Sequence, residues 1–295
     1  MKVFSYIKRK PKAKKPKAER NGGFRLYPIL AFGFTMLSVL LAVPACVAAE
    51  AEEVYIYKTV LMRPEAPITV DGDLSDWEEF DVRAQAMENL VVGVAGLYEP
   101  SDSTDLSGNF RCILDRDNIY LAIVVHDDTL VFGEEDFGKY WNDDSVEIYL
   151  DGDLVPPSEK KGFVRADGWD YDYDANDAQI RISKDSTGKV VMDGFGMFGQ
   201  RPLPLPGLWE SLWIVAAFKE TPGGYTVEVK IPKIVFISTP FKVGIEIGLG
   251  VMVYDDDDGG GADSKISWTA DPESIAWKST EPFGRLLIER ESSPY

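Results

Sequence analysis

The sequence is poor in cysteine and histidine, which excludes several kinds of stabilisation and chemistry. It has two cysteines in 295 residues, and Cys46 lies in an amino-terminal apolar segment, so only Cys112 belongs to the rest of the chain. A single cysteine cannot close an internal disulfide, so the fold must rely on its apolar core. The one histidine, His126, ends an apolar run and precedes two aspartates. We interpret it as a surface residue and expect no haem.

Positive charge is scarce outside the first 49 residues. Those residues hold ten of the 31 basic residues and one of the 49 acidic residues, which leaves residues 50–295 with a formal charge of −27. Such an acidic surface repels nucleic acid and anionic lipid headgroups. The charge therefore predicts neutral ligands or divalent cations as partners and excludes nucleic acid. Contact with a membrane is expected only through the amino-terminal segment.

The amino-terminal segment has the pattern of an export signal. A segment rich in lysine, arginine and proline at residues 8–20 precedes an apolar stretch at residues 26–49. Basic residues stay on the cytoplasmic side of such a segment, so the acidic body is predicted to be secreted, periplasmic or at the cell surface. The segment can end in cleavage after Ala49, which we favour, in lipid attachment at Cys46, or as an uncleaved anchor. The predicted organisation is an export segment at 1–49 and one domain at 50–295.

No stretch shows a sustained helical period, and no internal repeat is visible. Short apolar runs alternate with turn residues, and the clearest hairpin pairs are 110–115 with 119–125 and 212–218 with 225–231. Many short strands at close spacing predict an all-β fold, an antiparallel jelly-roll-like β-sandwich, which can reach roughly 200 residues or more as one domain. Residues 192–207, rich in glycine and proline, are predicted to be irregular.

Two stretches combine an apolar face with a polar face. In residues 145–151 apolar side chains alternate with polar ones, among them Glu147, and Trp141 stands just before the stretch. Residues 178–183 repeat the pattern, with Gln179 and Arg181 on the polar side. Hydrogen-bonding groups beside a flat ring suit a polyhydroxylated ligand. An outer strand face with a loop tryptophan is the simpler alternative for the first stretch.

Acidic residues are concentrated in two turns. The aspartates of residues 71–76 precede Trp77, and they either cap a turn or offer oxygen ligands to a hard cation such as calcium. Residues 255–258 are four consecutive aspartates followed by glycines, and such a run is predicted to be a solvated loop.

Aromatic and glycine residues mark two further places of close approach. Trp169, Tyr171 and Tyr173 lie among aspartates, and they either form a second ligand surface or point inward. Gly248 and Gly250 leave one side of an apolar strand open, so either a ligand or a neighbouring element approaches there.

Seven segments occur in a fixed order through residues 68–288. They are ITVDGDLSDW (68–77), DNIYLAIVVHDD (117–128), WNDDSVEIYLDGD (141–153), DAQIRIS (177–183), GYTVEVKIP (224–232), ISW (266–268) and FGRLLI (283–288). In this order they resemble the family 9 carbohydrate-binding module, which is found attached to xylanases and in stand-alone exported bacterial proteins. The resemblance implies a β-sandwich that binds carbohydrate without catalysis.

The resemblance also implies site residues. In members that bind sugar, two tryptophans clamp the reducing-end sugars of cellulose or xylan, and these positions fall on Trp141 and Trp277. The glutamate and arginine of the family fall on Glu147 and Arg181. With Gln179, these residues form the predicted ligand-binding set.

This chain departs from the family pattern at two polar positions. A glutamine of the family is replaced by Met252, and an asparagine before the second tryptophan is replaced by Ser274 or a neighbour. The clamp is thus retained while part of the polar rim is changed. Family members carry structural calcium, so the resemblance implies calcium here as well, with ligands that are not identified.

Three functions follow from these observations. The first is non-catalytic binding of plant-type β-glycan or oligosaccharide ends, in support of carbohydrate catabolism. The second, suggested by the changed rim, is a surface-anchored structural or adhesion protein without a sugar site. The third is a glycoside hydrolase, which needs two acids at a set separation and one raised pKa. Acidic residues are so abundant in this domain that no pair of them stands out as catalytic. We therefore predict that the chain is not an enzyme.

Overall fold

Strands make up the fold, and the predicted all-β class is confirmed. The computed structural model describes residues 54–63, 66, 68–92, 97–160, 163–164, 170–198, 201–202, 206–236 and 240–292. Its strands are β1 (Ile56–Met62), β2 (Gln85–Met87), β3 (Asn89–Leu90), β4 (Leu106–Leu114), β5 (Asn118–Asp127), β6 (Ser145–Asp151), β7 (Phe163–Val164), β8 (Asp170–Tyr171), β9 (Asp177–Lys184), β10 (Val190–Phe198), β11 (Arg201–Pro202), β12 (Val215–Thr221), β13 (Gly224–Pro232), β14 (Glu246–Asp255), β15 (Ser264–Ser267) and β16 (Gly284–Ser292).

Helices are few and short in the described part of the chain. The one α-helix there, α1 (Leu208–Ser211), is a single turn, and 3₁₀ helices lie at Leu74–Glu79, Tyr140–Asn142, Pro157–Glu159 and Lys233–Phe236. None of these helices is long and apolar enough to cross a membrane. The predicted export segment, residues 1–49, lies outside the described residues.

The main sheet folds back on itself around an apolar core. Its path runs β11-β10-β9-β6-β14-β16-β1-β4-β5-β13-β12, and β7 and β8 form a separate two-stranded sheet. Alternate residues of both halves meet in the main core, for example Ile148 of β6, Ile180 of β9 and Val227 of β13. The residues between them face outward. This arrangement is the predicted sandwich, and it leaves a polar outer face on β6 and β9.

β1 adds a parallel element to this fold. It pairs in parallel with β16 along its length and in parallel with β4 through Leu61 and Leu114. Every other strand pair among the described residues is antiparallel. The sheet is therefore mixed. A period of two is common to parallel and antiparallel strands, so the alternation in the sequence could not reveal this pairing.

Both predicted hairpins are present. Leu114 of β4 lies opposite Ile119 of β5, and Thr221 of β12 lies opposite Gly224 of β13. Cys112 is fully buried in the core, and this burial raises the pKa of its thiol. His126 is exposed, as predicted.

Residues 192–198 correct the prediction of an irregular segment, because they belong to β10. This strand pairs with β9 through residues that include Gly194, opposite Ile180. Gly194 has a φ of +107°, and a Cβ atom there would lie 2.1 Å from the carbonyl oxygen of Gln179. Glycine is required here by the close approach of two strands, not by a loop.

The acidic turn at residues 71–76 is structural. The Glu228 carboxylate accepts hydrogen bonds from the backbone amides of Asp71 and Gly72 at 2.9 and 2.7 Å. The same carboxylate accepts a bond from the indole Nε1 of buried Trp77 at 2.8 Å. Asp73 caps the following 3₁₀ helix by accepting from the amide of Ser75. These contacts favour the capping interpretation over the cation site.

The open side of β14 is filled by protein. A Cβ atom at Gly248 would lie 2.7 Å from Cβ of Asp151, and one at Gly250 would lie 3.1 Å from Cβ of Tyr149. The two alternatives were a ligand and a neighbouring element, and the close packing of the neighbouring strand β6 explains these glycines.

Candidate functional site

A cavity of about 430 Å³ lies on the side of β9 that faces away from the main core. It is lined by Phe137, Gly138, Trp141, Tyr171, Gln179, Arg181, Gly194, Phe195, Tyr254, Ser274 and Trp277. Four of the five predicted ligand-binding residues are in this set. Both predicted tryptophans thus border one cavity and do not lie at opposite ends of the sandwich.

Aromatic side chains form much of the cavity wall. Trp141, in the 3₁₀ helix Tyr140–Asn142, is 38% exposed, and Trp277 is half-buried. Tyr171 contacts Trp277 edge-on, with ring centroids 5.4 Å apart, and contacts Phe195 in the same way at 5.5 Å. The edge contacts hold the Trp277 ring in place while part of it stays accessible to a ligand.

The loop that carries Trp141 is tied to β10. The carboxylate of Asp193, a buried residue, accepts hydrogen bonds from the backbone amides of Gly138 and Tyr140 at 2.9 and 3.3 Å. Asn142, the residue after Trp141, donates from its side-chain amide to Glu134 at 2.7 Å. Trp141 is therefore exposed but set between two anchored positions.

The loop that carries Trp277 is tied down in a similar way. Its buried Asp271 carboxylate accepts hydrogen bonds from the backbone amides of Ile275 and Ala276 at 2.8 and 3.1 Å. The Tyr173 hydroxyl donates to the carbonyl of Ala276. Tyr173 is fully buried, so it points inward as one of the sequence interpretations stated, whereas Trp169 lies outside the described residues.

An ion-paired network forms the floor of the cavity. Nε of Arg181 donates to Oε1 of Glu147 at 2.7 Å, and its Nη1 donates to Oδ1 of Asp193 at 2.5 Å. The Gln179 amide donates to the same Oε1 of Glu147 at 3.0 Å. Because Nε2 of Gln179 is hydrogen-bonded to Glu147, the network fixes the orientation of the amide group.

A second buried cation completes the network. The Lys265 ammonium lies 3.6 Å from Oε2 of Glu147 and donates to the Tyr254 hydroxyl at 2.7 Å. Burial opposes ionisation of Glu147, but Arg181 and Lys265 together hold its pKa below the usual range. Burial likewise opposes the charge of Arg181, and Glu147 and Asp193 raise its pKa. Two buried cations are thus matched by two buried carboxylates.

Residues 91–291 match the model of a protein family described as "Carbohydrate family 9 binding domain-like". The chain belongs to this family. Two structures of a family 9 carbohydrate-binding module from Caldicellulosiruptor kristjanssonii, one in complex with cellotriose and one with glucose, align with TM-scores of 0.55 at 18% identity. They cover 80% of this chain and 95% and 97% of their own chains. These likenesses show the fold.

A structure from Bacteroides uniformis gives a TM-score of 0.51 at 13% identity and covers 80% of this chain and 100% of its own. Among curated proteins, none matches the sequence significantly. The family consists of binding domains, so membership agrees with the prediction that the chain is not an enzyme.

Glu147 is buried too deeply in this family 9 domain to contact a ligand in the cavity. Its side chain has no exposed surface, and it lies beneath Arg181 and Gln179. Met252, where the family pattern has a glutamine, is fully buried in a cluster that includes Tyr149 and Phe195. The geometry thus brings Trp141, Trp277, Arg181 and Gln179 to the cavity surface and leaves Glu147 as their support.

Five of the lining residues were not identified from the sequence, namely Phe137, Gly138, Gly194, Phe195 and Tyr254. Tyr254 follows Met252 by two positions on β14, so the period of two would have placed it on the same outer face. Phe195 lies on β10, which was interpreted as irregular, and its face could not be assigned without a strand.

A cluster of aspartates lies at the end of β14. Residues 255–258 were predicted to be solvated, but Asp255 and Asp256 are each 1% exposed. The prediction was wrong for these two because their carboxylates bond within the fold. Asp256 accepts from the backbone amide of Gly259 at 2.8 Å, and Asp255 accepts from the Ser264 hydroxyl at 2.9 Å.

The cluster concentrates negative charge without a matching cation among the described residues. Oδ2 of Asp127 and Oδ1 of Asp255 are buried without a hydrogen-bond partner there. Asp127, Asp255 and Asp257 can each bring a carboxylate oxygen within 4.8 Å of the others. Burial, followed by repulsion from neighbouring carboxylates, raises the pKa of Asp127 to about 6 and that of Asp144 to about 9.

Proposed function

We propose that this domain binds neutral carbohydrate in the cavity between Trp141 and Trp277 without catalysing its breakdown. One observation carries the proposal: two accessible indoles border one cavity above a floor of oriented polar groups. A pyranose ring has apolar C–H faces that pack on an indole, and hydroxyls at its rim that need hydrogen-bond partners. The Arg181 guanidinium, the Gln179 amide and the Tyr254 hydroxyl are the groups that meet those hydroxyls.

The charge balance of the floor favours a neutral sugar. Arg181 is held by two carboxylates, and Lys265 by a carboxylate and a phenol, so both cations of the floor are matched. A uronic acid would bring a further negative charge to a domain that is already strongly acidic. Neutral oligosaccharides of glucose or xylose avoid this repulsion.

The composition of the cavity wall argues against hydrolysis. None of the residues that line the described cavity is an aspartate or a glutamate. The two nearby carboxylates, Glu147 and Asp193, are buried and engaged by Arg181. A glycosidase needs two carboxyl groups that flank the scissile bond, one of which delivers a proton.

Isothermal titration calorimetry against a panel of oligosaccharides tests the proposal. We expect measurable binding of cellobiose, cellotriose, xylobiose or xylotriose, and none of digalacturonic acid at the same concentration. Absence of binding to every neutral sugar on a glycan array would instead favour the structural or adhesion protein with the same fold. Equal binding of digalacturonic acid would contradict the charge argument.

We also propose that the protein acts outside the cytoplasmic membrane in support of carbohydrate catabolism. The basic run at residues 8–20 and the apolar stretch at 26–49 support export, and the strongly acidic body is compatible with it. Fractionation of cells that produce the full-length chain, with globomycin as an inhibitor of lipoprotein processing, distinguishes cleavage from lipid attachment at Cys46.

The aspartate cluster is proposed to hold a calcium ion that stabilises the fold. Two unpartnered buried carboxylate oxygens, on Asp127 and Asp255, fit a hard cation that prefers oxygen ligands. Asp257 supplies a third carboxylate. A bound divalent ion would offset the repulsion among these carboxylates.

Calcium removal is expected to lower the melting temperature by about 5 °C or more, since a loss of about 2 kcal/mol shifts a domain of this size by several degrees. Differential scanning calorimetry in EGTA and in millimolar CaCl₂ measures the shift. The variant Asp255→Asn should abolish the dependence on calcium, whereas Asp81→Asn, at an exposed residue far from the cluster in sequence, should retain it. A calcium-dependent shift that persists in Asp255→Asn would contradict the assignment.

A further inference from the structure

Trp213 combines high exposure with an unfavourable backbone conformation. The residue is 68% exposed, among the most exposed large apolar side chains in the described structure. Its φ is +59°, in the left-handed region that side chains with a Cβ atom disfavour. Val215, which follows at the start of the edge strand β12, is also exposed. A bulky apolar residue therefore occupies a position where both the exposure to water and the left-handed backbone favour a different type of residue.

The local hydrogen bonds show what conformation is imposed on Trp213. Its backbone amide donates to the carbonyl of Glu210 at 3.0 Å, and the amide of Ile214 donates to the carbonyl of Trp209 at 3.0 Å. This pair of bonds is the Schellman motif that ends many helices, and glycine is the usual residue at the left-handed position. Here a tryptophan occupies it. The motif directs the Trp213 ring away from the core, since Trp209 and Ile214 on either side are buried.

The turn that carries Trp213 is attached to the residues that build the cavity. Nε1 of Trp209 donates to the carbonyl of Asp193 at 2.7 Å. The side chain of Asp193 holds Arg181 and the backbone at Tyr140, next to Trp141. Burial raises the pKa of Tyr140, and the negative charges of Asp193 and, more weakly, Glu210 add to this rise. The Trp213 turn and the loop that carries Trp141 are thus both hydrogen-bonded to Asp193.

We propose that Trp213 is an outer stacking platform for a longer carbohydrate chain whose end occupies the cavity. This inference rests on the proposed function of the cavity. A sugar unit beyond the cavity would pack its C–H face on the exposed indole, with no need for the buried polar network that orients the first unit. Such a contact raises affinity for polymers through a second point of attachment and leaves affinity for disaccharides unchanged. Strain at an exposed position is retained where the side chain has a use.

The variant Trp213→Gly separates binding from stability. Glycine suits the left-handed position, so the melting temperature should rise or stay unchanged while the indole is removed. We expect retention on hydroxyethylcellulose and on soluble xylan, in affinity gel electrophoresis, to weaken about fivefold, a change of about 1 kcal/mol. The dissociation constants for cellobiose and xylobiose should stay within about twofold of the wild-type values. Trp213→Phe, which retains an aromatic face, should recover part of the polymer retention.

The outcomes distinguish this inference from the function on which it rests. Unchanged polymer retention in Trp213→Gly, in a protein whose wild-type form binds disaccharide, would overturn the platform alone. An equal loss of disaccharide and polymer binding would also overturn it, because Trp213 would then act on the cavity itself. A wild-type protein that binds neither disaccharide would contradict the proposed function.

Discussion

Replacing Trp141 and Trp277 together by alanine is expected to weaken disaccharide binding by about 100-fold or more. Each indole face can cover about 60 Å² of apolar sugar surface, which is worth roughly 1.5 kcal/mol at about 25 cal/mol per Å². Two faces give about 3 kcal/mol, and every 1.4 kcal/mol is about tenfold in affinity. Isothermal titration calorimetry with cellobiose and xylobiose measures the loss.

The matched control for this pair is Tyr98→Ala. Tyr98 is 68% exposed and does not line the cavity, so its loss removes an exposed ring without touching the site. Each single tryptophan variant should lose about tenfold. Retention of wild-type affinity by the double variant would exclude the clamp, because the polar floor would then suffice without it.

Replacing Arg181 by methionine should destabilise the protein as well as abolish binding. The change leaves Glu147 and Asp193 buried with charges that Arg181 no longer offsets, and removal of one partner from a buried ion pair costs about 3–5 kcal/mol. In a domain of this size that corresponds to a fall of roughly 10 °C in melting temperature. Thermal denaturation followed by circular dichroism gives the fall, and calorimetry gives the loss of binding.

Two further variants keep this prediction testable if Arg181→Met folds poorly. Arg181→Lys retains the charge but cannot reach both carboxylates with a planar fork, so it should fold with weakened binding. Arg63→Met removes an exposed arginine that pairs with Glu291 at 3.0 Å, and such surface pairs contribute less than about 1 kcal/mol. Equal effects of the Arg63 and Arg181 variants would contradict a structural role for the buried network.

Local alternation in the sequence predicted the faces of the site-bearing strands. Ile148 and Ile180 point into the core, as the period of two required, so Glu147 and Arg181 share the opposite face. Alternation assigns a face but does not show what covers it. Lys265, 118 positions after Glu147, lies on another strand and brings its ammonium to 3.6 Å from the glutamate. The depth of Glu147 therefore depends on a contact between distant parts of the chain.

Contacts between distant parts of the chain also explain the other differences between the predictions and the structure. The parallel pairing of β1 with β16 joins the two ends of the domain, and no local pattern distinguishes it from an antiparallel pair. The glycine and proline content around Gly194 predicted an irregular segment. In the structure, Gly194 instead allows β10 to approach Gln179 closely. Trp141 and Trp277 lie in loops, so their meeting at one cavity was implied by family resemblance and by no local feature of either loop.

A crystal structure of the protein soaked with cellotriose tests the central claim most directly. We predict a sugar ring in the cavity between the indoles of Trp141 and Trp277, with its hydroxyls in hydrogen-bond contact with Arg181 and Gln179. Glu147 should remain beneath them without touching the sugar. Sugar bound elsewhere on the domain, with this cavity occupied only by water, would contradict the account.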